Sequence, residues 1–122
     1  MQVIRSIIND IDAQGGQLLS WSLQDILADQ DNQGQTLLHM SVDTGHYEAC
    51  CMLIEKGVNV NVCRSGFVTS LHLAAATGDL NIVQLLVASG AIIDALNVMQ
   101  ETPLHRASTF NRTSVIEFLL QK

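Results

Sequence analysis

Basic residues are scarce in this chain of 122 residues. Six lysines and arginines stand against twelve aspartates and glutamates, which gives a net charge of −6 with histidine neutral. Nucleic-acid-binding surfaces gather Lys and Arg on one face, whereas the few basic residues here are scattered, so we expect no nucleic-acid partner. The sequence also lacks the ~18 consecutive apolar residues of a transmembrane helix and the pattern of a secretory signal peptide. We expect a cytoplasmic protein without direct membrane insertion, with the nucleus as the alternative location.

Cysteines are few and poorly placed for chemistry. Cys50, Cys51 and Cys63 do not have metal-ligand spacing, and an odd number does not suit a secreted disulfide framework. Cys51 is expected to be an ordinary exposed thiol. The sequence has no glycine-rich phosphate loop and no nucleophile beside a base at helical spacing. We therefore expect no enzyme activity, no cofactor and no metal ion.

The strongest pattern is a short motif that occurs three times. His39, His72 and His105 lie 33 residues apart, and each follows a leucine directly and a threonine by three residues. A fixed period of this length in so short a chain is typical of a stacked solenoid, and not of a globule with a central active site. The functional question is therefore which partner the chain binds.

Each copy of the motif predicts a unit of two helices. The threonines are suitable N-caps, and the first helices are predicted over residues 37–44, 70–77 and 103–110. Gly45 and Gly78 follow where a tight turn needs a positive φ, and Asn111 takes this place in the third unit. The next segments predict second helices with one buried apolar face. Their apolar positions are Ala49, Cys50, Met52, Leu53 and Ile54, then Ile82, Val83, Leu85, Leu86 and Val87, then Val115, Ile116, Phe118, Leu119 and Leu120.

These residues resemble the ankyrin repeat over about three quarters of the chain. The resemblance is carried by Gly34-Gln35-Thr36-Leu37-Leu38-His39, by Ser70-Leu71-His72-Leu73-Ala74-Ala75 with Gly78-Asp79, by Gly90-Ala91 with Asp94, and by Thr102-Pro103-Leu104-His105. It implies an all-α solenoid of stacked helix-turn-helix repeats with extended β-turn arms. The family's glycine before the first helix is kept as Gly34 but is replaced by Phe67 and Gln100. We expect those two turns to be built differently, with Gly66 taking the positive φ one position early.

The resemblance gives the domain boundaries that we predict. Ankyrin-type repeats are expected at residues 31–63, 64–96 and 97–122, the last one truncated at the C-terminus. Residues 1–30 do not fit the period, and we interpret them as a divergent repeat or helical cap, with a membrane-surface helix as the alternative. Because a terminal repeat normally carries a polar outer face, the apolar end of the third unit predicts that the chain is a fragment of a larger multidomain protein.

The histidines are expected to be structural. In the fold that the resemblance implies, they lie one repeat apart, which is too far for a common metal shell with ligands at ~2 Å. A ring nitrogen of each should instead bind backbone in the adjacent turn. Asn61 is similar to asparagines that cytosolic oxygenases hydroxylate in ankyrin proteins, but turn capping is the role we favour.

Partner binding is expected on the concave face that the resemblance implies. This face consists of outward-pointing positions on the first helices and of the tips of the arms. The predicted partner-binding residues are Met40, Asp43, Thr44, Phe67, Val68, Leu73, Thr77, Val98, Met99, Arg106 and Phe110. Apolar residues at solvated loop tips are often contact sites. The alternative is that Phe67, Val68, Val98 and Met99 pack on one another across adjacent arms.

The sequence therefore favours a non-catalytic protein-interaction module, an adaptor or scaffold segment that binds a protein or peptide. Two alternatives stay open. The chain could be a structural spacer in a longer ankyrin array, or a regulatory domain attached to an enzyme elsewhere in the parent chain.

Overall fold

Six helices in three consecutive pairs make up the described structure. It is a computed structural model, and it describes residues 29–122. The helices are α1 (Leu37–Asp43), α2 (Tyr47–Glu55), α3 (Ser70–Thr77), α4 (Leu80–Ala88), α5 (Pro103–Thr109) and α6 (Thr113–Leu120). All three first helices begin where the sequence predicted, and α1 and α5 end one residue earlier. The predictions for residues 1–28 lie outside the described residues.

The helices form two layers. Each first helix packs against its own second helix, and contacts also join α1 to α3, α3 to α5, α2 to α4 and α4 to α6. One layer is therefore α1, α3 and α5, and the other is α2, α4 and α6. In the described part of the chain the segments between pairs are extended arms, in which an isolated antiparallel bridge joins Arg64 and Val68. This architecture confirms the predicted all-α solenoid.

The repeated threonine and histidine cap the first helices reciprocally. The Thr69 hydroxyl accepts a hydrogen bond from the backbone N–H of His72 at 3.3 Å, and the Thr69 N–H donates to Nδ1 of the same histidine at 3.2 Å. The same reciprocal pair occurs at Thr36 in α1 and at Thr102 in α5. Each pair satisfies two N–H groups that a helix start would otherwise leave without partners. The threonine N-caps predicted from the sequence are confirmed.

The arms form left-handed turns at two positions that are not glycine. Gly34 has a φ of 79°, and the equivalent Phe67 and Gln100 adopt nearly the same conformation, with φ of 57° and 62°. The prediction is confirmed for the second arm, where Gly66 has a positive φ of 81° one position before Phe67, so that two successive residues are left-handed. It is wrong for the third arm, where Gln100 alone takes the conformation of Gly34. Each arm closes the same backbone turn, in which the N–H of Arg64 donates to the Val68 carbonyl at 2.9 Å. This closure holds the left-handed residue in place whatever its side chain.

The core lies between the two layers. Its largest fully buried apolar side chains include Leu38, Leu53, Leu71, Ile82 and Leu86. Each second helix buries part of the apolar face that the sequence predicted: Ala49, Cys50 and Leu53 in α2, Ile82, Val83 and Leu86 in α4, and Val115 and Leu119 in α6. Leu120, in the same predicted set, is exposed instead. No helix between residues 29 and 122 has both the length and the apolar content needed to span a membrane.

Candidate interaction site at the arm tips

The tips of the arms are joined to one another through the backbone. We define them as residues 32–35, 65–68 and 98–101. The Ser65 N–H donates to the Gln33 carbonyl at 2.7 Å, and the Val98 N–H donates to the Gly66 carbonyl at 2.8 Å. Because each arm is held to the next, side chains at the tips have fixed positions relative to one another. A preformed surface of this kind loses little conformational entropy when it binds.

The first and third arms are braced by an acceptor side chain that the second arm lacks. Asp31 Oδ1 accepts from the N–H groups of Gln33 and Gln35 at 2.8 and 3.0 Å, and Asn97 Oδ1 makes the equivalent pair of bonds at 2.9 and 3.0 Å. The Gln35 N–H, more than any other group, lowers the pKa of the Asp31 carboxyl. Arg64 stands at this position in the second arm, and a guanidinium has no acceptor for a turn N–H. Its side chain is therefore directed elsewhere.

Three apolar side chains at the tips are mostly in solvent. Phe67 is 65% exposed, Val98 60% and Met99 73%. Mutual packing across the arms therefore does not account for these three. Val68 differs, because it is half-buried and packs against the core. Large apolar side chains clustered in solvent are a common mark of interaction surfaces.

A cleft lies between the second and third arm tips. It has a volume of about 200 Å³. Its floor is on α3, at His72, Leu73 and Ala76, and the remaining walls come from the two arms and α5. The lining residues are Arg64, Gly66, Val68, His72, Leu73, Ala76, Asn97, Val98, Met99, Glu101 and Arg106. We call this feature the arm-tip cleft.

Five of the predicted partner-binding residues line this cleft: Val68, Leu73, Val98, Met99 and Arg106. Phe67 stands on the rim, between two lining residues in sequence. The prediction that Leu73 points outward is wrong, because this side chain is only 7% exposed and belongs to the core. The third unit packs over α3 through α5, so that only the edge of Leu73 reaches the cleft.

The other predicted residues lie outside the cleft lining. Met40, Asp43, Thr44, Thr77 and Phe110 are exposed along the ends and outer faces of the first helices. Two of them contact cleft residues. The Arg106 guanidinium lies 5.1 Å from the centre of the Phe110 ring, and Asp43 Oδ2 lies 3.9 Å from Arg64 Nη1.

Arg64 is one of six lining residues absent from the predicted set, with Gly66, His72, Ala76, Asn97 and Glu101. Its Nη1 donates to Gln35 Oε1 at 3.0 Å, so that the side chain reaches across to the first arm. The signal was present in the sequence, because Arg64 interrupts a position that is acidic or amide in the other two units, Asp31 and Asn97. Because the Arg64 side chain makes no hydrogen bond within its own turn, it can bind Gln35 and line the cleft.

The histidines have the structural role that was expected, to different extents. Because the Thr69 N–H can only donate, His72 Nδ1 is the acceptor and Nε2 carries the hydrogen, which it donates to the Glu101 carbonyl at 2.8 Å. This bond confirms the prediction for His72. Both ring nitrogens are occupied, so His72 is not placed to act as a base. Burial is the main cause that lowers its pKa.

The equivalent histidine rings of the other two units, those of His39 and His105, make fewer hydrogen bonds than that of His72. His39 is buried, and burial lowers its pKa, but its Nε2 has no hydrogen-bond partner among the described residues. The Val68 carbonyl, which is equivalent to that of Glu101, offsets part of this lowering of the His39 pKa. It does not meet the geometry of a hydrogen bond to Nε2. His105 is exposed. Residues 29–122 contain no group of three His, Cys, Asp or Glu side chains that could hold a metal ion.

The cysteines and Asn61 have local roles. Burial raises the pKa of the Cys50 thiol to about 12, which keeps it protonated. Cys51 is half-buried, so the prediction of an exposed thiol is wrong, while Cys63 is exposed. The Asn61 amide donates to the Gly90 carbonyl at 3.1 Å and accepts from the Ile92 N–H at 2.9 Å. Asn61 therefore joins two neighbouring units, as a capping side chain would.

The comparisons with known proteins agree with this geometry. A family model described as "Ankyrin repeats (3 copies)" matches residues 62–122, and one described as "Ankyrin repeat" matches residues 33–65. No curated protein matches the chain. The two family matches together span residues 33–122, the region in which the helix pairs, capped starts and joined arms recur. The chain belongs to the ankyrin repeat family.

Proposed function

We propose that this chain is a non-catalytic protein-interaction module, an adaptor or scaffold segment that binds a protein or peptide at the arm-tip cleft. Ankyrin repeats are generally protein–protein interaction modules. The observation that carries the proposal is the group of exposed apolar side chains, Phe67, Val98 and Met99, around a preformed cleft. Binding hot spots are typically a few such anchors at the centre of an interface.

The side chain of Phe67 supports a role outside folding. A non-glycine residue in the left-handed region costs roughly 1–2 kcal/mol, and a bulky side chain there is an outlier. Phe67 gains little burial in return, since its ring is mostly in solvent. The left-handed conformation recurs in every arm, so the reason to infer a function is that a large aromatic side chain stands at this position and is exposed.

The location and organisation of the chain belong to the same proposal. We place it in the cytoplasm, with the nucleus as the alternative, and its free cysteines suit a reducing compartment. Repeat boundaries at residues 31–63, 64–96 and 97–122, and a place within a larger multidomain protein, stay predictions.

The experiment begins with selection of binders from a library of short displayed peptides on the full chain. The affinity of a selected peptide is then measured by fluorescence anisotropy. We expect the double variant Phe67→Ala/Met99→Ala to weaken binding by about tenfold or more, since it removes two candidate anchors. Circular dichroism of each variant checks that the helices are retained.

A matched control removes two exposed apolar side chains elsewhere. Ile92 and Leu120 are 53% and 68% exposed, and neither lines the cleft. Ile92→Ala/Leu120→Ala should leave the affinity within about twofold, because scattered surface apolar groups contribute little to a distant interface. If the two double variants change the peptide affinity equally, the peptide binds elsewhere on the chain. If the library yields no specific binder, the spacer alternative is favoured.

A further inference from the structure

Positive charge is concentrated in the arm-tip cleft. The chain carries only six lysines and arginines and a net charge of −6, yet two of the six, Arg64 and Arg106, line this one cleft. Glu101 is the single acidic residue in the lining, so the lining residues carry a net charge of +1. This sign is opposite to that of the chain as a whole, and electrostatic complementarity selects partners of the opposite charge.

Both guanidiniums are incompletely paired. Arg64 Nη1 donates to the neutral Gln35, and its acidic neighbour Asp43 is 3.9 Å away, at the limit of an ion pair. Arg106 Nη1 lies 3.5 Å from Glu101 Oε1, a long contact. A guanidinium has five N–H donors, and within residues 29–122 the hydrogen bonds of each arginine run through Nη1. Donors on both side chains are therefore left for a ligand.

The surroundings of the cleft indicate a side chain as the ligand. Its volume of about 200 Å³ is below the ~300–1,000 Å³ of typical small-molecule pockets, which suits one side-chain group. The rim carries Phe67, Val98 and Met99 in solvent, and apolar surface of this kind suits an apolar neighbour of that group. A phosphate backbone would meet the repulsion of an acidic chain and would leave the apolar rim exposed.

We propose that the arm-tip cleft binds the side-chain carboxylate of an aspartate or glutamate in a partner segment, with an adjacent apolar residue packed on Phe67, Val98 and Met99. Arg106 donates to the carboxylate, and Arg64, whose Nη1 is directed to Gln35 of the first arm, supplies positive charge at the edge of the cleft. This inference rests on the proposed function and adds the chemistry of the partner. Arginine suits the role because its planar fork of donors matches the geometry of a carboxylate.

Glu101 has a specific effect in this account. Its Oε1 accepts from Asn97 Nδ2 at 3.1 Å and neighbours Arg106, and the Asn97 bond, followed by Arg106, holds the pKa of its carboxyl below the usual value. The Glu101 carboxylate is thus ionised and competes with the ligand for Arg106. Glu101→Gln keeps an oxygen acceptor for Asn97 and removes the competing charge. This variant should bind an acidic peptide more tightly, a gain that loss of structure would not produce.

The test uses the full chain and peptides selected on it from the library, made with acetylated and amidated ends so that no terminal carboxylate is present. Selected peptides should carry Asp or Glu beside an apolar residue. Exchange of that residue for Asn or Gln in the peptide should weaken binding to the unaltered protein by about tenfold. Arg106→Gln should cause a similar loss for the acidic peptide and Arg64→Gln a smaller one, and both should change affinity for the amide analogue by less than about twofold.

The control for charge is Lys122→Gln, which makes the same change in net charge at an exposed position outside the cleft lining. We expect it to alter affinity by less than about twofold, since exposed charges at a distance are screened by salt. Glu101→Gln should strengthen binding of the acidic peptide by about threefold or more.

Two failures are distinguishable. If selected peptides lose affinity with Phe67→Ala/Met99→Ala but bind equally well as acid and amide, the carboxylate inference is wrong and the proposed function stands. If the peptides are insensitive to that double variant, or if no specific peptide is found, the cleft is not the binding site and both proposals fail.

Discussion

The three histidines should contribute to stability in the order His72, His39, His105, because the same ring makes fewer buried contacts at each step. In His72→Ala, the Thr69 N–H and the Glu101 carbonyl lose bonds of 3.2 and 2.8 Å. Each buried group left unsatisfied costs about 1–3 kcal/mol, and removal of the ring from a fully buried site adds a cavity. The expected loss in the free energy of unfolding is about 3–5 kcal/mol.

The other two substitutions should cost less. His39→Ala removes only the contacts of Nδ1, with the Thr36 N–H at 3.1 Å and the Thr36 hydroxyl at 2.9 Å, because Nε2 has no partner among the described residues. We expect a loss of about 2–3 kcal/mol, mostly from the cavity. His105→Ala exposes the Thr102 N–H at a site that water can reach, which should cost about 0.5–1 kcal/mol.

Urea unfolding followed by circular dichroism at neutral pH measures the series, with an unchanged slope as the check that the unfolding process is the same. Total free energies of unfolding are typically about 5–15 kcal/mol, so a fraction of the His72→Ala chains can be unfolded even without urea. This variant would still show the largest loss of the three. Equal losses in the three variants would refute the reasoning, because they would show that the reciprocal cap matters and the bond to the next unit does not.

Three further predictions concern pH and the left-handed turns. Burial lowers the pKa of His39 and His72 in the folded chain, so the unfolded state binds more protons once the pH falls below the ordinary value of about 6.5. The stability that these rings contribute should be complete above that pH and should decline below it, and urea titrations should show a smaller decline in His72→Gln. Phe67→Gly should preserve or raise the melting temperature, since it relieves roughly 1–2 kcal/mol of backbone strain and removes little burial; a loss above about 1 kcal/mol would show that the ring packs in the fold. Gly78→Ala should lower the free energy of unfolding by about 1–2 kcal/mol, because φ is 82° and a Cβ would lie 2.6 Å from Arg112 Cδ. In a double-mutant cycle with Arg112→Ala, the loss of the double variant should be smaller than the sum of the two single losses.

Sequence reasoning predicted the helices well because their starts are decided locally. A threonine and a histidine three residues later satisfy each other's backbone groups, as in Thr36 with His39, and this local chemistry is readable from the spacing alone. The turn at Asn111, with a φ of 57°, was equally readable, since asparagine tolerates the left-handed region.

The arms and the cleft depended on contacts that sequence does not show. Phe67 and Gln100 hold positive φ because each arm is closed by its own backbone hydrogen bond and tied to its neighbour, so neighbouring structure overrides the residue's preference. Met40 and Leu73 share one repeat position, but only the former is exposed. Arg64 stands out in the sequence at its repeat position, but its place in the cleft depends on the packing of the third arm beside the second.

The most direct test of the interaction site is a titration of the isotope-labelled chain with a selected peptide, followed by backbone amide NMR shifts. If the arm-tip cleft is the binding site, the largest shifts will fall on residues 64–68 and 97–101 and on the exposed edge of α3, and the amides of α2, α4 and α6 will change little. Largest shifts on those second helices, with residues 64–68 unaffected, would contradict the account.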